Sequence, residues 1–126
     1  MTRHMEPHSE LWQAGAWVYS GRPDPRWTVH APGVVELTAV WDQLPALTEW
    51  NEPMPRLGYR GCWLESPDGG RWIAHDRAIA FYAPQADAAP AHAQRPRPTE
   101  VRRDDDRAFE RALLATAPAG TPVPLL

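Results

Sequence analysis

Gly58-Tyr59-Arg60-Gly61-Cys62-Trp63-Leu64-Glu65-Ser66-Pro67-Asp68-Gly69-Gly70-Arg71-Trp72-Ile73-Ala74-His75 is the stretch whose reading decides the fold. Aromatic and branched residues stand on both sides of Pro67-Asp68-Gly69-Gly70, whose residues supply turn conformations. The pattern predicts a hairpin, with strands over 58–66 and 71–75. Asp76-Arg77 reads as a bend, and Ala78 to Tyr82 as a further strand or a continuation. Pairing Ser66 with Arg71 sets Leu64 opposite Ile73 and Cys62 opposite His75. Tyr59, Trp63 and Glu65 then share the other face with Trp72 and Ala74. A turn at Gly69-Gly70 instead sets His75 opposite Leu64.

Upstream, Val34, Leu37, Val40, Trp41 and Leu44 recur at helical spacing behind Pro32, which predicts an amphipathic helix over 33–44. Residues 45–56 form a connector. Before the helix, residues 14–20 read as the first strand, and Trp27 to His30 lead from a loop into the helix. Downstream, 84–101 is Ala/Pro-rich and aperiodic, a flexible linker. Asp104-Asp105-Asp106 then opens a last helix, and Pro118 stops it. The expected organisation is a flexible N-terminus over 1–13, a core over 14–83, the linker, a C-terminal helix over 102–117 packed on the core, and a loose tail over 118–126. The expected class is α+β: a small antiparallel sheet of three to four strands with two helices on one face.

The loop between the first strand and the first helix carries the main candidate site. In Tyr19-Ser20-Gly21-Arg22-Pro23-Asp24-Pro25-Arg26-Trp27, Gly21 permits a sharp turn, and each proline fixes its own φ and restricts the residue before it. Such a loop loses little entropy on binding. Arg22 offers a planar fork of donors, and Asp24 either pairs with it or faces a ligand. The bland alternative is that Arg22 and Asp24 only brace the turn and cap the next helix.

The same residues carry a resemblance. They are similar to a Tyr-Ser-Gly-Arg-Pro-Asn-Pro-x-Trp signature found in a group of small bacterial proteins of unassigned function. Asp24 replaces the expected Asn, adding a charge and removing an amide donor. Leu57-Gly58-Tyr59-Arg60-Gly61 resembles a second signature of that group, and the likeness spans about Trp17 to Thr116. It implies one compact domain and no particular chemistry.

Composition narrows the function classes. The chain has 126 residues, enough for one domain. A net charge of −3 implies no general attraction to nucleic acid, and Arg95, Arg97, Arg102 and Arg103 are offset at once by Asp104 to Asp106. All 13 basic residues are Arg, which reads most simply as the mark of a GC-rich genome. One cysteine, Cys62, forms no internal disulfide and fits a reducing compartment. No signal peptide or membrane span is visible, so the expectation is a cytoplasmic protein without membrane partners. The oligomeric state is not legible.

Catalytic sets are thin. Cys62 and His75, if opposed, would lie about 5 Å apart, close enough for a thiolate–imidazole pair. Their face also carries Leu64 and Ile73, which favours a buried Cys beside a satisfied His. No metal motif and no phosphate-cradling loop is present, so neither a metal nor a cofactor is expected. The expectation is a non-catalytic binding or accessory protein that recognises a protein or peptide through the Arg-Pro-Asp-Pro loop and nearby Trp residues. Its candidate binding residues are Tyr19, Arg22, Asp24, Trp27, Arg60, Trp63, Trp72 and His75. The alternatives are a small enzyme with a pocket built from Arg22, Asp24, His75 and Cys62, and a structural subunit with an apolar helix face at an oligomer interface.

Overall fold

The computed structural model describes residues 11–18, 23–54, 58–84, 97–124 and 126. Its centre is one antiparallel sheet of six strands, which corrects the expectation of three to four. In chain order the elements are β1 (Trp12–Trp17), β2 (Arg26–Val29), α1 (Ala31–Gln43), β3 (Gly61–Glu65), β4 (Arg71–His75), β5 (Ala78–Tyr82), β6 (Glu100–Arg103) and α2 (Ala108–Ala115). Across the sheet the order is β2-β1-β3-β4-β5-β6.

The two unforeseen strands lie at the edges. β2 has four residues and runs almost directly into the Pro32 helix start, so its alternation is too short to stand out. β6 is Glu-Val-Arg-Arg, with little apolar content to announce a strand. It is held from both sides. β5 pairs along one edge, and on the other Leu47 donates its N–H to the Val101 carbonyl at 2.9 Å and Arg103 donates to the Pro45 carbonyl at 2.8 Å. The connector thus closes an edge that would otherwise be open to pairing with another chain. The last helix begins at Ala108, later than the acidic run suggested. Asp104 is buried, and its carboxylate accepts the N–H groups of Phe109 (3.1 Å) and Glu110 (3.2 Å), satisfying donors that the helix start leaves open.

The β3–β4 turn fixes the register, and it differs by one residue from the expected pairing. Gly69 donates to the Ser66 carbonyl at 3.0 Å and Ser66 donates to the Gly70 carbonyl at 2.9 Å, so the loop has three residues. Gly69 sits at φ +97°, the left-handed position that such a loop needs after its type I turn. Cys62 therefore pairs with Ala74, Trp63 with Ile73 and Leu64 with Trp72. With a side-chain period of two, one step moves a partner to the opposite face. Trp72 and Ala74 join Cys62 and Leu64, while Ile73 and His75 join Trp63.

One face of the sheet forms the core with both helices. Trp12, Ala14, Trp27, Cys62, Leu64, Trp72, Ile79 and Phe81 pack there against Val34, Leu37, Trp41, Phe109 and Leu113. Trp12 belongs to this core and is 1% exposed. α1 leaves β2 at one edge and ends beside β6 at the other. Its 13 residues are about 20 Å long, close to the width of the sheet. Arg102 secures the far end, with its guanidinium 4.3 Å from the Trp41 ring centre and Nη1 donating to the Trp41 carbonyl at 2.6 Å. On the opposite face, Trp50 donates from Nε1 to the Tyr82 hydroxyl at 3.0 Å and meets the His75 ring edge to face. No helix among the described residues is long and apolar enough to cross a membrane.

Candidate functional site

The corrected register separates residues that the sequence brought together. Trp72 is wholly buried on the helix side, whereas Trp63 lies on the other face. Trp63 is itself covered, with the guanidinium of Arg26 at 5.2 Å and that of Arg71 at 5.5 Å from its ring centre. Trp27 is 5% exposed, and its Nε1 donates to the Thr116 hydroxyl at 2.8 Å. All three Trp residues are buried, so they form no open aromatic surface. Cys62 and His75 fall on opposite faces, so the thiolate–imidazole pair is not assembled either. Tyr19 and Arg22 lie outside the described residues, as does Leu57 of the second signature.

What the fold does assemble is a polar cleft of about 350 Å³, lined by Tyr59, Arg60, Gly61, His75, Asp76, Arg77, Arg107 and Glu110. Gly61 makes the approach possible. At φ +135° it sits where a Cβ would meet the Ala74 carbonyl oxygen at 2.6 Å, so only glycine lets the chain enter β3 so closely. Arg60 donates its N–H to the Trp17 carbonyl at 2.8 Å and turns its own carbonyl to His75. The His75 Nδ1 is 3.2 Å from that oxygen. A carbonyl only accepts, so Nδ1 carries the proton and Nε2 keeps its lone pair in the neutral ring.

The floor is a buried polar network. Glu110, 1% exposed, accepts from Arg107 Nε at 3.1 Å and Nη2 at 3.0 Å, and also from the Tyr59 hydroxyl. Burial pushes the Tyr59 hydroxyl far above its usual value, with the Cys62 and Glu110 charges adding to the shift. Burial likewise pushes the Cys62 thiol up, and the neighbouring Glu110 charge adds to that. A thiol so held is not an activated nucleophile. Hydrogen bonding to Glu110 raises the Arg107 guanidinium, which stays charged.

The rim is strained. Asp76 (φ 53°) and Arg77 (φ 61°) form the two-residue β4–β5 turn, and Arg107 (φ 58°) precedes α2. Among the described residues these are the non-glycine residues with positive φ, and all three line the cleft. The turn is a type I′ geometry, in which Asn-Gly is the usual choice. Asp104 anchors it by donating its N–H to the Arg77 carbonyl at 2.8 Å.

Asp24 links the proline-flanked segment to this cleft. Its Oδ1 accepts the Val18 N–H at 2.7 Å, and its Oδ2 lies 3.6 Å from Arg60 Nη2. The acid that replaces the expected Asn is therefore used as an ion partner. Of the residues named from sequence, Asp24, Arg60 and His75 are brought to one region. Tyr59, Arg77, Arg107 and Glu110 were not foreseen as site residues. Tyr59 stood beside Arg60 in the second signature, and the Arg107/Glu110 spacing of three is that of a helical ion pair, but neither signal pointed to the other. No protein-family model, curated protein or solved structure matches this chain.

Proposed function

We propose that this protein is a non-catalytic binding or accessory protein that recognises a protein or peptide partner in a reducing, cytoplasmic compartment. Its recognition surface is the Pro23-Asp24-Pro25 segment together with the cleft holding Arg60 and His75. The observation that carries the reading is the Asp24–Arg60 pair, which sets a stiff, proline-flanked segment at the lip of a polar cleft. Both halves are pre-organised, the segment by its prolines and the cleft wall by the His75–Arg60 and Glu110–Arg107 bonds. The buried tryptophans hold this surface in place and do not form it.

The test is affinity capture from native lysate, with wild type beside an Arg60→Ala/His75→Ala variant shown to be folded by circular dichroism. The expected result is a near-stoichiometric protein retained by wild type and lost with the variant. Retention of the same proteins by both would remove the cleft from recognition.

A further inference from the structure

The cleft's cations are not equivalent. Arg107 is committed to Glu110 through two donors, and Arg60 faces Asp24. Arg77 differs from both: among the described residues no carboxylate lies within ion-pair distance of it. Its backbone is also held in the left-handed region, at the second position of a type I′ turn where glycine is the usual residue. A long charged side chain kept on strained backbone at a cleft rim is the pattern expected of a binding group. The Tyr59, Arg107 and His75 side chains line the same cleft.

We infer that the cleft is a receptor for a single carboxylate, presented by a Glu or Asp side chain of an acidic peptide segment, with Arg77 as its principal contact. The inference rests on the binding-module reading above. A guanidinium matches a carboxylate by two parallel donors. Arg77 is the one cleft guanidinium that no described carboxylate contacts, and with Asp76 next to it the site has room for one negative charge and not two. Asp76, on the same rim, opposes a second negative charge and so disfavours phosphate. A half-open cleft of about 350 Å³ is at the small end of ligand sites, suited to one side chain projecting from an extended segment. Pro23 and Pro25 flank Asp24 in the chain and stiffen the segment that carries the Arg60 partner.

The experiment is a titration of the ¹⁵N-labelled full chain with a capped tri-glutamate peptide, a capped tri-glutamine peptide and inorganic phosphate. Arg77 Nε–H and the His75 ring are followed. Tri-glutamate is expected to shift both saturably, tri-glutamine to leave them unmoved, and phosphate to bind at least about fivefold more weakly. Arg77→Asn, whose side chain tolerates positive φ, should weaken tri-glutamate binding about fivefold with no fall in thermal midpoint. Phosphate binding more tightly than the peptide, equal shifts from tri-glutamine, or unchanged affinity in Arg77→Asn would each overturn the receptor. Failure here is separable from failure of the broader reading. A captured partner that tri-glutamate does not displace leaves that reading standing and sinks this one. Saturable tri-glutamate binding at Arg77 without a captured partner supports the receptor and removes the stable partner.

Discussion

The Trp27 indole nitrogen donates to the Thr116 hydroxyl at 2.8 Å, and Thr116 in turn donates to the Leu113 carbonyl at 2.6 Å. This chain of bonds ties the β2 edge to the end of α2. It also explains why an aromatic that closes a proline-rich loop belongs to the core. Thr116→Val keeps the shape and leaves the buried indole N–H unpaired, a loss of about 1–3 kcal/mol. Trp27→Ala should lose more, about 3–5 kcal/mol, because it also empties the site. Urea unfolding of the two variants checks the order. Equal stability of Thr116→Val and wild type would show that the bond does not clamp the edge.

Gly15 is paired with Trp63 across β1 and β3, and a Cβ there would stand 2.5 Å from the indole ring. The ring lies against bare backbone, with the Arg26 and Arg71 guanidiniums beside it. Gly15→Ala should destabilise by about 1–3 kcal/mol, the usual cost of overpacking. The ring has little room to yield between those cations. A urea midpoint equal to wild type would mean that the Trp63 packing adjusts freely.

The turn residues made the β3–β4 hairpin legible, but not its register. The register depends on whether Gly69 takes positive φ, and that is settled by Asp68, whose carboxylate accepts from the Ser66 hydroxyl and from the Gly70 N–H at 3.1 Å. A one-residue difference in the turn then placed Trp72 on the core face and left Trp63 on the other. α1 was legible because its apolar spacing is regular. β6 was not, because its charged residues are stabilised by partners from the connector and β5 that no local pattern reveals. The cleft was half legible. Asp24, Arg60 and His75 stood out as polar residues in structured surroundings. The Tyr59–Glu110 bond joins residues 51 apart in sequence, a contact made only by the packing of α2 on the sheet.

Cys62 and Tyr59 give the protein an alkaline limit. Both are held neutral by burial, with their folded values above the ordinary 9.0 and 10.0. The unfolded chain releases these protons first. The stability they contribute is therefore complete below about pH 9 and is lost as pH rises towards the folded values. One group contributes a slope of about 1.4 kcal/mol per pH unit, and the slope steepens above about pH 10 as Tyr59 joins. Urea unfolding from pH 8 to 10.5 reads this slope. Cys62→Ala should flatten the portion between pH 9 and 10, and an unchanged slope would contradict the assignment. The folded protein should also react with a thiol reagent only at its rate of opening.

The β4–β5 turn stores strain that substitution can release. Asp76 and Arg77 both occupy the left-handed region, where a residue with a Cβ is disfavoured by about 1 kcal/mol or more. The Asp104 N–H fixes the Arg77 carbonyl, so the turn cannot relax to another type without losing an anchor next to α2. Arg77→Gly keeps that carbonyl and removes the clash, at the expense of added freedom in the unfolded chain. The net expectation is a gain of about 0.5–1 kcal/mol, read as a higher urea midpoint at unchanged slope. The same variant should lose affinity for tri-glutamate. A gain in stability with a loss in binding would separate the two roles of this position. Destabilisation would mean that the Arg77 side chain, not its backbone, holds the turn.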